Sequence, residues 1–93
     1  MSETRRQQLA RALKDAPASL YDLADVFNLK LKTAEAEVQH AARSSAPARL
    51  RVEQPAECLA CGFVFRERRR LTAPSRCPRC RSESTTAPLL RIR

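Results

Sequence analysis

Two cysteine pairs, Cys58-Leu59-Ala60-Cys61 and Cys77-Pro78-Arg79-Cys80, stand fifteen residues apart and contain all four cysteines of the 93-residue chain. This is the C-x2-C-x15-C-x2-C spacing of a four-thiolate zinc site. Two residues between ligands let one tight turn aim both sulfurs at a single ion. Two such turns at the ends of a hairpin complete a tetrahedron. Four protein thiolates close the coordination sphere and leave no position for a catalytic water, so the expected role of the metal is structural.

The rival chemistry is a pair of disulfides. A bridge within C-x-x-C is usually redox-active, and structural disulfides belong to oxidising compartments. The first residues, Met1-Ser2-Glu3-Thr4-Arg5-Arg6-Gln7-Gln8, have no apolar core behind their charges, so they do not read as a secretory signal. No stretch approaches the ~20 apolar residues that span a bilayer. The expectation is a cytoplasmic, reducing setting in which Cys58, Cys61, Cys77 and Cys80 hold a metal. Zinc is preferred over iron, because the chain has no tryptophan and few aromatics to shield a redox centre. An iron-loaded redox protein stays as a third functional reading, behind the two given below.

These ligands need a scaffold. A ribbon of about 25 residues cannot bury enough apolar surface to fold alone, so the metal supplies its folding energy. Charge divides the chain: residues 1–48 carry seven Lys/Arg against six Asp/Glu, whereas residues 49–93 carry eleven against four, all eleven arginine. An acidic partner of this +8 chain should therefore meet the cysteine-bearing half first. Arginine binds phosphate bidentately through a planar fork, although the same residues would also make a solvated basic surface.

Helical spacing fills the first half. Leu9 and Leu13 mark a helix over about 4–15, ended by Asp15-Ala16-Pro17. Ser19 with Asp22 reads as a capping box opening a second helix through Leu20, Leu23, Ala24 and Phe27. Asn28-Leu29-Lys30 turns into a third, about 31–43, with Ala34, Val38 and Ala41 inward. Two helices across a short turn, behind a supporting one, outline a helix-turn-helix; a plain helical hairpin has similar spacing. Ser44–Ala48 breaks the pattern. Leu50–Glu53 and Leu89–Arg93 alternate as strands that would pair as a wing, with the ribbon at its tip. Inside the ribbon, Phe63 and Phe65 share a strand face and Leu71 is expected against them.

Three segments carry a resemblance: Ser19-Leu20-Tyr21-Asp22-Leu23-Ala24, Pro55-Ala56-Glu57-Cys58-Leu59-Ala60-Cys61-Gly62-Phe63-Val64-Phe65, and Pro74-Ser75-Arg76-Cys77-Pro78-Arg79-Cys80. The chain resembles predicted prokaryotic transcriptional regulators in which a helix-turn-helix is fused to a rubredoxin-like zinc ribbon. The resemblance implies an α+β fold, a small three-helix winged helix-turn-helix with the ribbon inserted at the wing, and a DNA-binding role. Residues 1–48 would form the helix-turn-helix, 49–57 and 86–93 the wing strands, and 58–85 the ribbon. Arg81 departs from it, standing where such knuckles usually carry glycine.

The expected nucleic-acid contacts are Lys30, Lys32, Thr33, Gln39 and Arg43 around the third helix, Arg49 and Arg51 on the wing, and Arg66, Arg68, Arg69 and Arg70 in the ribbon. The exposed face of the third helix is expected to carry Glu35 and Glu37 as well, which weighs against such contacts, since carboxylates are repelled by phosphates. That acidity motivates a second reading, an adaptor docking on protein or RNA through the ribbon and third helix. His40, the lone histidine, reads as a helix-surface residue, and Tyr21 as partial core. One glycine, one histidine and no nucleophile motif argue against an enzyme. The expected partner is double-stranded DNA, with no membrane and no evident small-molecule substrate. Helix-turn-helix proteins commonly dimerise on paired half-sites, but no dimer face is identifiable in the sequence.

Overall fold

The computed structural model describes residues 4–93, in the order α1 (Arg5–Asp15), α2 (Leu20–Val26), α3 (Leu31–Ser44), β1 (Leu50–Gln54) and β2 (Leu89–Ile92). The first three residues of the expected 1–48 segment lie outside the described residues.

Each of the first two helices begins on a reciprocal cap. Thr4 Oγ1 accepts the Gln7 N–H while Gln7 Oε1 accepts the Thr4 N–H. Ser19 and Asp22 repeat the arrangement at α2, at 3.1 and 3.2 Å. Such caps satisfy N–H groups that have no partner within the helix. Asn28 turns the chain between α2 and α3 with φ +54°, a left-handed conformation that asparagine tolerates better than most residues. At the far end of α3, Ser45 Oγ donates to the Ala41 carbonyl over 2.8 Å.

The apolar stripes converge on one core. Leu9 and Leu13 from α1, Leu20 and Leu23 from α2, and Ala34, Val38 and Ala41 from α3 are buried together with Leu90 and Ile92 of β2. Alanines on the inward face of α3 allow close approach, and α1 and β2 supply the larger side chains. Burying each Leu or Ile contributes about 1.5–3 kcal/mol.

β1 and β2 pair antiparallel, Leu50 opposite Ile92 and Val52 opposite Leu90, with an irregularity between Val52 and Gln54. Alternation along β2 places Leu90 and Ile92 on the core face, as the sequence predicts. A relationship absent from the sequence reading extends the sheet: Ala18, between α1 and α2, exchanges both backbone hydrogen bonds with Leu90, at 3.0 and 2.7 Å. β2 therefore has a partner on each side.

Residues 55–88 leave β1 and return to β2 as the ribbon. No regular strand forms there among the described residues: the expected Phe63–Phe65 strand is reduced to a Glu57–Val64 bridge, with a second bridge joining Cys58 and Thr85. Leu71 is only 8 % exposed and belongs to the core cluster of the helices and β2. Beside it, the Ala73 N–H donates to the Tyr21 hydroxyl over 2.9 Å. Tyr21 is thus neither core nor free; it pins the ribbon's return path to α2.

Candidate metal centre

The ribbon builds one short turn twice. In the first, the Gly62 N–H donates to the Cys58 carbonyl and the Cys58 N–H to the Phe63 carbonyl, at 2.9 and 2.8 Å. In the second, Arg81 donates to the Cys77 carbonyl and Cys77 to the Ser82 carbonyl, both at 2.9 Å. The turns are stapled to the rest of the ribbon from several sides. Leu59 donates to the Ser84 carbonyl, Glu57 and Thr86 bond through backbone and hydroxyl, and Thr85 Oγ1 donates to the Pro74 carbonyl.

These staples bring the four cysteine sulfurs within 4.8 Å of one another. Across the two turns, Cys58 Sγ lies 3.5 Å from Cys80 Sγ, and Cys61 Sγ lies 3.7 Å from Cys77 Sγ. Four thiolates ~2.3 Å from one tetrahedral ion would stand about 3.8 Å apart, so the set fits a single metal. No disulfide joins them. The first cysteine of each pair, Cys58 or Cys77, is buried, and the second, Cys61 or Cys80, is exposed.

Backbone N–H groups aimed at sulfur favour the thiolate over the thiol. The Cys61 N–H, aided by that of Ala60, lowers Cys58 to about 7 against the opposing effect of burial. Burial pushes Cys77 up, but N–H groups of Cys80 and Arg79, the latter 3.4 Å from its sulfur, outweigh it and leave it lowered. Cys80 receives the Ser82 N–H, yet the crowding of the other sulfurs, Cys58 foremost, with partial desolvation of its sulfur, pushes it up to about 12. Four sulfurs this close cannot all ionise without a cation among them, and a bound metal supplies that charge.

The cationic residues divide into distinct groups. On α3, Lys32, Thr33, Gln39 and Arg43 are exposed along one stripe with Ala36 and His40, opposite the buried Ala34, Val38 and Ala41; Lys30 is exposed at its N-cap. Glu35 and Glu37 are both half-buried on the flanks of that stripe, which corrects the expectation of an acidic outer face. Glu37 turns toward α1, where its Oε2 meets Arg6 Nε at 3.3 Å. That side chain leans along a helix–helix groove, a placement that spacing within α3 cannot reveal. Arg49 and Arg51 are exposed around β1, whereas Arg91 and Arg93 approach Glu53 at 3.9 and 3.8 Å. In the ribbon, Arg66, Arg69 and Arg70 are exposed, while the Arg68 guanidinium folds back on the Thr72 and Ala73 carbonyls at 3.3 to 3.5 Å. The metal ligands are thus brought together, whereas the expected nucleic-acid residues fall on α3, the β1 edge and the ribbon.

Residues 55–93 match the family described as the PF0610 rubredoxin-like zinc beta-ribbon domain. The whole chain superimposes on the solution NMR structure of protein PF0610 from Pyrococcus furiosus, covering 100 % of this chain and 91 % of that one, with a TM-score of 0.69 at 28 % identity. No curated protein matches the chain. The four-cysteine metal-binding ribbon therefore rests on spacing, sulfur geometry and family likeness together.

Proposed function

We propose that this protein is a small DNA-binding transcriptional regulator whose ribbon is braced by structural zinc. The observation that carries the proposal is the outer stripe of α3. Its exposed side chains, Lys32, Thr33, Ala36, Gln39, His40 and Arg43, include no carboxylate. A helix with short and cationic or amide-bearing side chains on its free face suits a major groove, where such groups read base edges and phosphates. α2 precedes it across a turn at Asn28, and both α1 and α2 pack against α3, which supports a helix-turn-helix reading. β1 and β2, widened by the Ala18–Leu90 bridge, would serve as the wing, with Arg49 and Arg51 set toward the flanking phosphates.

A closed set of four thiolates is the donor set of a structural zinc. Zinc has no geometric preference of its own and accepts a tetrahedral set, and the chain has no tryptophan and only three Phe and one Tyr to shield a redox iron. The adaptor alternative drew on an acidic α3 face; Glu35 and Glu37 stand aside from that face, so the stripe favours DNA.

The deciding experiment is binding of the metal-loaded protein to random duplex DNA across a salt series, followed by its own promoter region. The expected result is a log–log salt slope worth several phosphates and a tighter promoter complex. Arg43→Gln and Lys32→Gln should each reduce that slope by about one. No duplex binding at low salt would retire the regulator reading.

A further inference from the structure

A second surface lies in the ribbon, away from α3. Phe63 and Phe65 meet edge to face, their ring centroids 5.0 Å apart and their planes at 88°. Both rings are half-buried, and both line a cleft of about 360 Å³ completed by Val64, Arg66, Glu67, Arg68 and Pro78. This is the small end of the ~300–1,000 Å³ range of ligand clefts.

The segments that line it, residues 63–68 and Pro78, run directly into further arginines. Arg66, Arg69, Arg70 and Arg79 are exposed and make no ion pair with any described residue. Arg68 is held against the Thr72 and Ala73 carbonyls, which fixes one wall. Glu67 is the one carboxylate lining the cleft. Aromatic and proline surface inside with unpaired arginines outside is the combination that binds single strands, bases stacking on rings while a basic rim follows the backbone. Duplex DNA does not fit this role, because its base faces are already stacked on one another.

We infer that the Phe63–Phe65 cleft is a binding site for an unpaired nucleobase of a single-stranded nucleic acid, with Arg66, Arg69 and Arg70 on the adjoining phosphates. The site is independent of the α3 stripe. It would let one chain hold a duplex through its helices and an unpaired strand through its ribbon. The base face and the phosphates are common to DNA and RNA.

The test uses the full metal-loaded chain and fluorescence anisotropy with an eight-nucleotide oligothymidylate, its ribose counterpart, and an abasic strand of equal phosphate number. Both base-bearing strands should bind at low salt, and the abasic strand should bind about fivefold or more weakly, as expected for loss of one stacking contact. Phe65→Leu keeps an apolar side chain in the ribbon while removing the ring, and should cause a similar loss with unchanged metal content. Arg43→Gln on α3 should lower duplex binding while leaving the ratio of base-bearing to abasic single-strand affinity unchanged. A preference for the ribose strand would assign the natural source as RNA, and a preference for the deoxy strand as DNA. Equal binding of abasic and base-bearing strands would overturn the inference, as would Phe65→Leu at wild-type affinity. Failure of duplex binding alone would count only against the α3 reading.

Discussion

Gly62 and Arg81 hold the same place in two matching turns. Each follows the second cysteine of its pair, each has a left-handed φ (+80° and +63°), and each donates to the carbonyl of the pair's first cysteine. One residue is suited to that backbone and the other is not. A Cβ at Gly62 would meet nothing within 4 Å, so the cost of a side chain there comes from the backbone alone. Arg81 already bears that cost, which for an L-residue in this region is about 1–2 kcal/mol.

The two positions should therefore respond oppositely to exchange. Gly62→Ala should destabilise the metal-loaded protein by about 1 kcal/mol, whereas Arg81→Gly should stabilise it by up to about 1 kcal/mol, the gain reduced by the extra freedom of glycine in the unfolded chain. Chemical denaturation of the two variants at saturating metal checks both signs. Equal destabilisation by both would mean that the Arg81 side chain makes a contribution its exposure does not suggest.

Metal removal should be felt beyond the ribbon. Without a cation, the crowded sulfurs lose their reason to converge, and Leu71 and Ala73 lose the frame that presents them to the helices. Chelation, or Cys58→Ser or Cys77→Ser, should unfold the ribbon and lower the melting temperature followed at helical wavelengths. Elemental analysis of the purified protein should give one zinc per chain and a colourless solution. Full metal content and an unchanged melting temperature in Cys77→Ser would refute the four-ligand site.

The docking of ribbon on helices should divide unequally between its two contacts. Leu71→Ala removes a buried side chain and should cost about 2–3 kcal/mol, at the low end for such truncations. Tyr21→Phe removes an acceptor from the Ala73 N–H, a partly exposed group that water can reach, and should cost about 1 kcal/mol or less. Urea unfolding of both, with the double variant, would also show whether the contacts are coupled, since they lie two residues apart in the chain.

The caps offer a comparison within one molecule. Ser19 is 6 % exposed, whereas Thr4 stands in solvent. Ser19→Ala should cost about 1–2 kcal/mol and Thr4→Ala about 0.5–1 kcal/mol, because water can replace the cap only at Thr4. Thermal melts of the two variants would test the order.

Local rules made much of this legible. Cysteine spacing located the ligands, the Ser19–Asp22 pair located the start of α2, and the stripes Leu9–Leu13 and Ala34–Val38–Ala41 identified the faces that meet. What stayed hidden depended on partners distant in sequence. Glu37 looks like an exposed acid until α1 brings Arg6 beside it. Leu71 stands alone among arginines and prolines, with no periodicity to say which core it enters. Ala18 resembles an ordinary interhelical residue, and only the path of β2 makes it a strand partner. The left-handed φ of Arg81 is visible in sequence only as a missing glycine.

The insertion of the ribbon between β1 and β2 also bears on the order in which the chain assembles. Gln54 and Leu89 are paired neighbours in the sheet, although thirty-four residues separate them in sequence. Once the metal draws the two turns together, the hydrogen bond from Thr86 to Glu57 has already brought the ends of that excursion close. The remaining gap is a few residues on either side, which lowers the entropy cost of closing the sheet by about 2 kcal/mol. An ion bound ahead of the sheet would act as a shortcut through conformational space: metal-loaded chains should find the β1–β2 pairing by a brief local search, and metal-free chains by a long one.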